Sequence, residues 1–355
     1  MKKNHLKLTF FTSVIIFMFA TVFIGCEPEE VETADTTALT ELIDACQALL
    51  DDATTVDYPQ SAIDAFNATL GTAKTALKDS KIKQSQVDNL VVQLEAARTV
   101  FLAAAYGAIP ETALIMGLSF DEGTGTSLTA DGKAWTAVLK KGPAEIFGTE
   151  TALPTFVEGK VGKAIHFEKG SHLQIDDYAA SDLKGSQLSI AVWVKPDLTR
   201  PGNYIISYNY WNSWKFQLQE QNKPFFTVHT NEDGWVDADN EADFSAPNEE
   251  WTHLVVTLDL NSKKLVFYVN GALTKEWDNT SKEGLKGTGA WEYEKTLPLL
   301  IGACTTYAEA DAEWDWDWGR TPEAWDGFYG AMDEFKMYNI ALTDGQVAKL
   351  YNDEK

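Results

Sequence analysis

Between Glu249 and Gly271 the chain reads EEWTHLVVTLDLNSKKLVFYVNG, and its side chains alternate at a period of two. Leu254, Val256, Leu258 and Leu260 fall on one face, with Val255, Thr257 and Asp259 on the other. That is the spacing of a strand, whose successive side chains point to opposite sides. After a polar break at Asn261-Ser262-Lys263, Leu265, Phe267 and Val269 alternate again. Asn270-Gly271 then supplies the dipeptide that best tolerates the positive φ angles of a tight hairpin turn. Three consecutive antiparallel strands are predicted, the third over Ala272 to Trp277.

The rest of the chain divides around this sheet. At 355 residues it is long enough for two domains with cores that need no disulfide framework. A formal charge of −24 and a pI near 4.5 argue against nucleic acid and anionic membrane surfaces as partners. They are compatible with an extracytoplasmic protein that binds neutral sugars or cations. Of the three cysteines, Cys46 lies on a helical stripe and Cys304 follows a strand in a different domain. Both are expected to be free thiols that act as small apolar groups.

Residues 1–25 read as a targeting segment, with Lys2, Lys3 and Lys7 ahead of the apolar run from Leu8 to Ile24. Phe23-Ile24-Gly25-Cys26 resembles a lipobox, which implies that Cys26 is diacylated and becomes the mature N-terminus. The alternative is an uncleaved membrane anchor. The lipid would be the chain's one contact with the membrane. Residues 26–37, opening Glu27-Pro28-Glu29-Glu30 behind the lipidated Cys, form an acidic tether too polar to bury a core. Acidic residues at that place resemble the surface-export signal of some Gram-negative lipoproteins, which implies display on the outer membrane.

Residues 38–107 carry a helical period. Leu39, Leu42, Ile43, Cys46, Leu49 and Leu50 make one stripe, and Ala62, Ile63, Phe66, Leu70, Ala73 and Leu77 a second, entered at Pro59. Ser85 is a candidate N-cap for a third helix with Val87, Leu90, Val91, Leu94 and Phe101. Short loops make these an antiparallel bundle, similar to the FIVAR-type modules of bacterial surface proteins. It reads as a spacer, with a binding module of its own as the rival. Tyr106-Gly107-Ala108-Ile109-Pro110 breaks the last helix, and residues 111–355 form the second domain. There the period is two, all 12 Trp occur, and Thr343-Asp344-Gly345-Gln346 is a capping box for a terminal helix carrying Val347 and Leu350. Many strands with one terminal helix predict an all-β two-sheet sandwich.

Four stretches in order carry a family resemblance. They are Gly159–Phe167 (GKVGKAIHF), Leu188–Pro196 (LSIAVWVKP), Trp251–Gly271, and Gly330–Asn339 (GAMDEFKMYN) followed by Ala341-Leu342-Thr343. Residues 113–353 resemble the LamG-like branch of the concanavalin A-like lectin and glucanase superfamily. The resemblance implies a jelly-roll sandwich but not an activity, since one fold hosts many. It also implies a structural Ca²⁺ between the first and last strands, held by Asp333 with oxygens near Asp121 and Gly123. The glucanases of this superfamily use E-x-D-x-(x)-E, with two Glu as nucleophile and general acid. Glu313-Trp314-Asp315-Trp316-Asp317 is similar, but an Asp replaces the second Glu and the motif falls in a late connection.

That connection, Ala308 to Phe328, is the most unusual stretch of the chain. It holds Trp314, Trp316, Trp318 and Trp325, with Asp315, Asp317, Arg320 and Asp326 between them. Indole rings stack on the apolar face of a sugar while carboxylates and Arg hydrogen-bond its hydroxyls. Tyr210, Trp211, Trp214, Trp235 and His229 are candidates to join them, against the plainer reading that each packs a core or hairpin. Trp193 and Trp251 are taken as structural. The expected function is non-catalytic capture of a polysaccharide or glycan for a neighbouring uptake system. The rivals are a hydrolase or lyase using Glu313, Asp315 and Asp317, and a protein-binding adhesin.

Overall fold

The computed structural model describes residues 34–355 apart from 56, 231–233, 287–290, 292–296 and 314–319. Three helices come first: α1 (Thr37–Asp52), α2 (Gln60–Ala76) and α3 (Gln84–Ala103). Their stripes meet in one small core, Leu39, Leu42, Ile43 and Cys46 against Phe66, Leu70 and Ala73, and Val87, Leu94 and Phe101. Phe101 stacks on both Tyr58 and Phe66, with centroids 4.2 and 4.6 Å away. Helical stability in proteins comes mostly from packing of an amphipathic face, so the shared apolar face is what holds them. α3 begins earlier than the predicted cap: Lys83 precedes it, Gln86 Oε1 accepts the Lys83 N–H at 2.9 Å, and Ser85 sits inside the first turn. No helix among the described residues is long and apolar enough to cross a membrane.

The β domain opens with β1 (Leu114–Leu118), β2 (Ser127–Thr129), β3 (Asp131–Gly132) and β4 (Thr136–Lys140). After a single turn of helix, α4 (Ala144–Phe147), come β5 (Thr155–Glu158), β6 (Lys163–Phe167) and β7 (His172–Ile175). β8 (Gln187–Pro196), β9 (Asn203–Tyr208), β10 (Trp214–Gln219), β11 (Lys223–Thr230) and β12 (Gly234–Asp239) follow. The predicted meander is β13 (Thr252–Asp259), β14 (Lys264–Val269) and β15 (Ala272–Asp278). β16 (Leu299–Ile301), α5 (Tyr307–Glu313), β17 (Gly330–Tyr338) and α6 (Asp344–Glu354) complete it. The helix α5 was not expected from the connection's loop-like composition, although its Ala-Glu-Ala-Asp-Ala-Glu run favours one.

Two antiparallel sheets result. The first runs β15-β14-β13-β8-β17-β1-β3, with the β5–β6 hairpin attached to β17, and the second runs β12-β11-β10-β9-β16-β7-β4-β2. Between them lies a continuous core, in which Ile190, Val192 and Val194 of β8 and Leu254, Val256 and Leu258 of β13 face Ile206, Trp214, Phe216 and Phe226. The β14–β15 turn has φ of 50° at Asn270 and 77° at Gly271. A Cβ on Gly271 would come within 2.8 Å of the Tyr351 ring, so only glycine closes the hairpin under α6.

The outer face of the first sheet is sealed by α6. Val255, Val266 and Tyr268, on the face opposite Leu254 and Phe267, pack with Val347 and Leu350. Thr343 Oγ1 accepts the Gln346 N–H at 3.3 Å and Gln346 Oε1 accepts the Thr343 N–H at 3.0 Å, which is the predicted capping box. Trp193 stacks on Tyr351 at 5.6 Å and donates its indole N–H to Glu354 Oε2 at 2.8 Å. Lys336 joins Glu334 at 2.6 Å and also meets Glu354. His253 lies sealed beneath them, with 1 % of its surface exposed and its Nε2 3.8 Å from Glu354 Oε2.

Candidate functional site

The second sheet offers its outer face to solvent in a different way. Residues directly opposite in antiparallel strands share a face. By that register Asp237, Thr227, Lys215, Ser207, Leu300, Gln174, Val138 and Ser127 form one row across all eight strands. The centre of this row is closed. Lys215 and Gln217 are 6 % and 4 % exposed, with Lys215 Nζ donating to Gln217 Oε1 and Gln217 Nε2 donating to Pro201 O at 2.9 Å. Asp326 enters beside them from the connection into β17. Burial pushes its carboxyl up to about 6 against the pull of Arg200 and Lys215. Burial likewise lowers the Lys215 ammonium.

The two ends of the face are open. At the β11–β12 end the cross-strand pair His229 and Trp235 stacks at 4.1 Å between centroids with 5° between ring planes, and Trp235 is 55 % exposed. Beside them Thr227 Oγ1 donates to Asp237 Oδ1 at 2.6 Å. At the β4–β7 end there is a cleft of about 320 Å³, within the range of small-ligand sites. Its floor is His172 and Gln174 of β7 with Lys140 of β4, and Lys140 lies opposite His172 in the register. Pro143 and Glu145 form one rim, and Thr305, Thr306, Tyr307, Ala308 and Trp325 the other. Gly142 lets the first rim lie on the neighbouring turn, since a Cβ there would fall 1.8 Å from Lys169 O. The half-buried Tyr307 ring stacks on Trp325 at 6.2 Å, giving the cleft an aromatic wall.

His172 Nε2 and Thr305 Oγ1 are buried polar atoms of this cleft that lack a protein partner. His172 Nδ1 lies 2.9 Å from Gly170 O and therefore carries the proton, which leaves Nε2 as a bare acceptor. Burial holds the ring below its ordinary titration range, so it is neutral. An unsatisfied buried polar atom costs roughly 1–3 kcal/mol, which a ligand hydroxyl or a water would recover.

The sequence-predicted residues are distributed unevenly over this face. Trp325 is in the cleft wall, but only 2 % exposed, so it supports Tyr307 and has no free ring face. Tyr210 and Trp214 are 2 % and 0 % exposed and cannot stack a sugar, because the β9–β10 hairpin folds them inward. Trp211 lies in the 3-10 turn Tyr210–Asn212 between them. His229 and Trp235, both candidates, lie side by side, with Trp235 in a strand. Arg320 forms an exposed ion pair with Asp311 of α5 at 3.0 Å. Trp314, Asp315, Trp316, Asp317 and Trp318 lie outside the described residues, as does Cys26. Glu313 ends α5. Sequence reading missed His172, Thr305, Tyr307, Lys140 and Lys141. Alternation of His172 and Gln174 with Leu173 and Ile175 did mark the first as outward, but nothing local marks which outward residues line a cleft.

The carboxylates assigned to calcium are otherwise engaged. Buried Asp333 accepts the Lys160 and Val161 N–H groups at 2.7 and 2.9 Å through Oδ2 and the Glu334 N–H at 2.8 Å through Oδ1. Asp121 Oδ1 accepts the Lys163 N–H at 2.8 Å. The two grip the turn Gly159–Gly162 from opposite sides, and Gly123 closes a turn back to Phe120 O at 3.2 Å. Calcium needs six to eight oxygens, whereas N–H donors face these carboxylates. Among the described residues no group of three or more His, Cys, Asp or Glu is placed to hold a metal. As arranged, Asp333, Asp121 and Gly123 fit a carboxylate-gripped turn and not a calcium shell. Cys46 and Cys304 are both buried free thiols, as expected.

Two antiparallel sheets packed face to face, one sealed by a terminal helix and the other bearing a cleft, define a jelly-roll sandwich of the concanavalin A-like class. A family model described as the concanavalin A-like lectin/glucanases superfamily matches residues 167–348, just over half of the chain, and the chain belongs to that superfamily. No curated protein matches it. Among solved structures it is similar to domain 4 of AbnA, a GH43 extracellular arabinanase from Geobacillus stearothermophilus, in complex with arabinotriose. Identity there is 20 % and the TM-score 0.46, over 68 % of this chain and 100 % of that one. It is also similar to the binding domain of Paraclostridial Mosquitocidal Protein 1 (15 %, TM-score 0.46, 68 % and 52 %). A third is the binding domain of Botulinum Neurotoxin DC in complex with SialylT (13 %, TM-score 0.46, 69 % and 52 %). The chain spans about half the length of these two toxin domains.

Proposed function

We propose that this chain binds a polysaccharide or glycan, without cleaving it, on the outer face of its second sheet. The observation that carries the reading is the β4–β7 cleft, where the Tyr307–Trp325 wall stands beside two orphaned buried polar atoms, His172 Nε2 and Thr305 Oγ1. An apolar ring wall with a few fixed polar atoms suits a sugar, which has an apolar C–H face edged by hydroxyls. Membership in a superfamily of lectins and glucanases agrees with it. A non-catalytic role is favoured because Glu145 is the single carboxylate among the described residues lining the cleft, while glycoside hydrolysis works through a pair. The Trp/Asp run at 314–318 follows α5 in the sequence, and its Trp residues are the further candidates for sugar stacking. The lipobox reading makes the chain an outer-membrane, cell-surface lipoprotein held by acylated Cys26.

The test is retention of the detergent-solubilised full chain on a polysaccharide panel, with product release scored in the same wells. Retention without products supports the reading, and reducing ends or unsaturated products accumulating with time would overturn its non-catalytic part. Replacing Trp314, Trp316 and Trp318 with Ala is expected to weaken retention without unfolding the protein; unaltered retention removes that run from the site.

A further inference from the structure

The net charge of −24 points, taken alone, toward neutral sugars, yet the cleft mouth has the opposite sign. Lys140 and Lys141 sit side by side on its lining, and Glu145 is the one described carboxylate there. Ten other lysines, among them Lys133, Lys169, Lys195 and Lys223, are each within ion-pair distance of a carboxylate. Other described lysines, such as Lys78 and Lys81, also lack an ion pair, so what marks Lys140 and Lys141 is that they stand together on the lining of a cleft. Two unpaired ammonium groups beside a half-enclosed, aromatic-walled space favour an anion, and low local dielectric strengthens that preference.

The floor restricts what that anion belongs to. His172 Nε2 is a bare acceptor, because the Gly170 carbonyl fixes the proton on Nδ1. A carboxylate or sulfate oxygen cannot pair with it, whereas a hydroxyl donor can. A ligand that meets both features presents an O–H group to the floor and negative charge to the mouth. We infer that the β4–β7 cleft takes an acidic sugar residue, a uronate or a sulfate ester, with its hydroxyl donating to His172 Nε2 and its anionic group held by Lys140 and Lys141. This rests on the glycan-binding reading above and narrows it to a ligand class.

The experiment uses the full chain in detergent and two matched pairs of polymers. One pair is polygalacturonate and its carboxyl-reduced derivative; the other is a sulfated galactan and its desulfated derivative. A charge-assisted contact predicts at least about tenfold tighter binding of the acidic member of one pair, falling as salt is raised. Which pair shows the difference tells uronate from sulfate. In the Lys140→Gln, Lys141→Gln double variant the difference is expected to vanish while residual binding of the neutral member is retained. Equal affinity for both members of each pair would overturn the acidic class and leave glycan binding standing. Failure to retain any polymer, neutral or acidic, would overturn both readings. An acidic preference that persists in the double variant would overturn the placement of the anion in this cleft.

Discussion

Each outer face of the sandwich hides a histidine with an orphaned nitrogen, and the two have different fates. His253, on the first sheet, is roofed by Trp193, Tyr351 and the Lys336–Glu354 contact. Burial there pushes its pKa down to about 3. His172, on the second sheet, faces a cleft with an aromatic wall and unpaired lysines at its mouth. The contrast teaches that an unsatisfied buried atom is not by itself a site. Access decides, and access is set by whether the chain has spent its own helix on that face.

The comparison breaks most readily at the sealed face. Trp193→Ala removes a fully enclosed indole, its stack on Tyr351 and its hydrogen bond to Glu354, and is expected to cost about 3–5 kcal/mol in denaturant unfolding. Polysaccharide retention of the remaining folded protein should not change; a loss of retention at constant fold would show that the sealed face also recognises ligand. Tyr307→Ala does the reverse. Burial of one aromatic contact is worth roughly 1.5–3 kcal/mol, so affinity should drop about ten- to a hundredfold. Its stability should stay within about 0.5 kcal/mol of the parent, apart from what the Trp325 contact contributes.

A smaller effect comes from Asp326 behind the closed centre of the second face. Its folded pKa of about 6 exceeds the unfolded value of 3.8, so the folded state binds more protons between those limits. Stability is then highest below about pH 4 as far as this group is concerned, and falls as pH rises through 6, by about 3 kcal/mol. Asp326→Asn should flatten that part of the profile, and a curve unchanged by the substitution would remove Asp326 as its origin. The smallest expected effect is that of EDTA. If Asp333 and Asp121 do no more than hold the Gly159–Gly162 turn, chelation leaves Tm where it was. A fall of several degrees together with calcium found by metal analysis would restore the calcium site.

Much of this architecture was legible because strand alternation and turn chemistry are local. The β13–β14–β15 meander, its Asn270-Gly271 turn, the three helical stripes and the Thr343 capping box can all be read from neighbours within a few residues. Alternation names two faces, however, and does not say what covers each. Val255, placed on the face opposite Leu254, lies under α6 together with Val266. The same limit explains Trp214 and Tyr210, chosen as binding aromatics for their type and found in the interior. It also explains why His172 and Thr305 escaped notice. They are more than 130 residues apart, and only the pairing of β7 with β16 brings them to one cleft.

The position of β17 has a consequence for how the protein is made. It lies in the middle of the first sheet, between β1 and β8, yet it is the last strand in the chain. At about 5–20 residues per second, the stretch from Leu118 to Gly330 takes on the order of ten to forty seconds to synthesise. Until it is complete, β1 and β8 each present an unpaired edge, the kind of surface on which nascent chains aggregate. The long-range pairing also slows folding once synthesis ends. A chain built this way is best kept unfolded and escorted until its final strand is available, and the central seam of its sheet is the last part to be sewn.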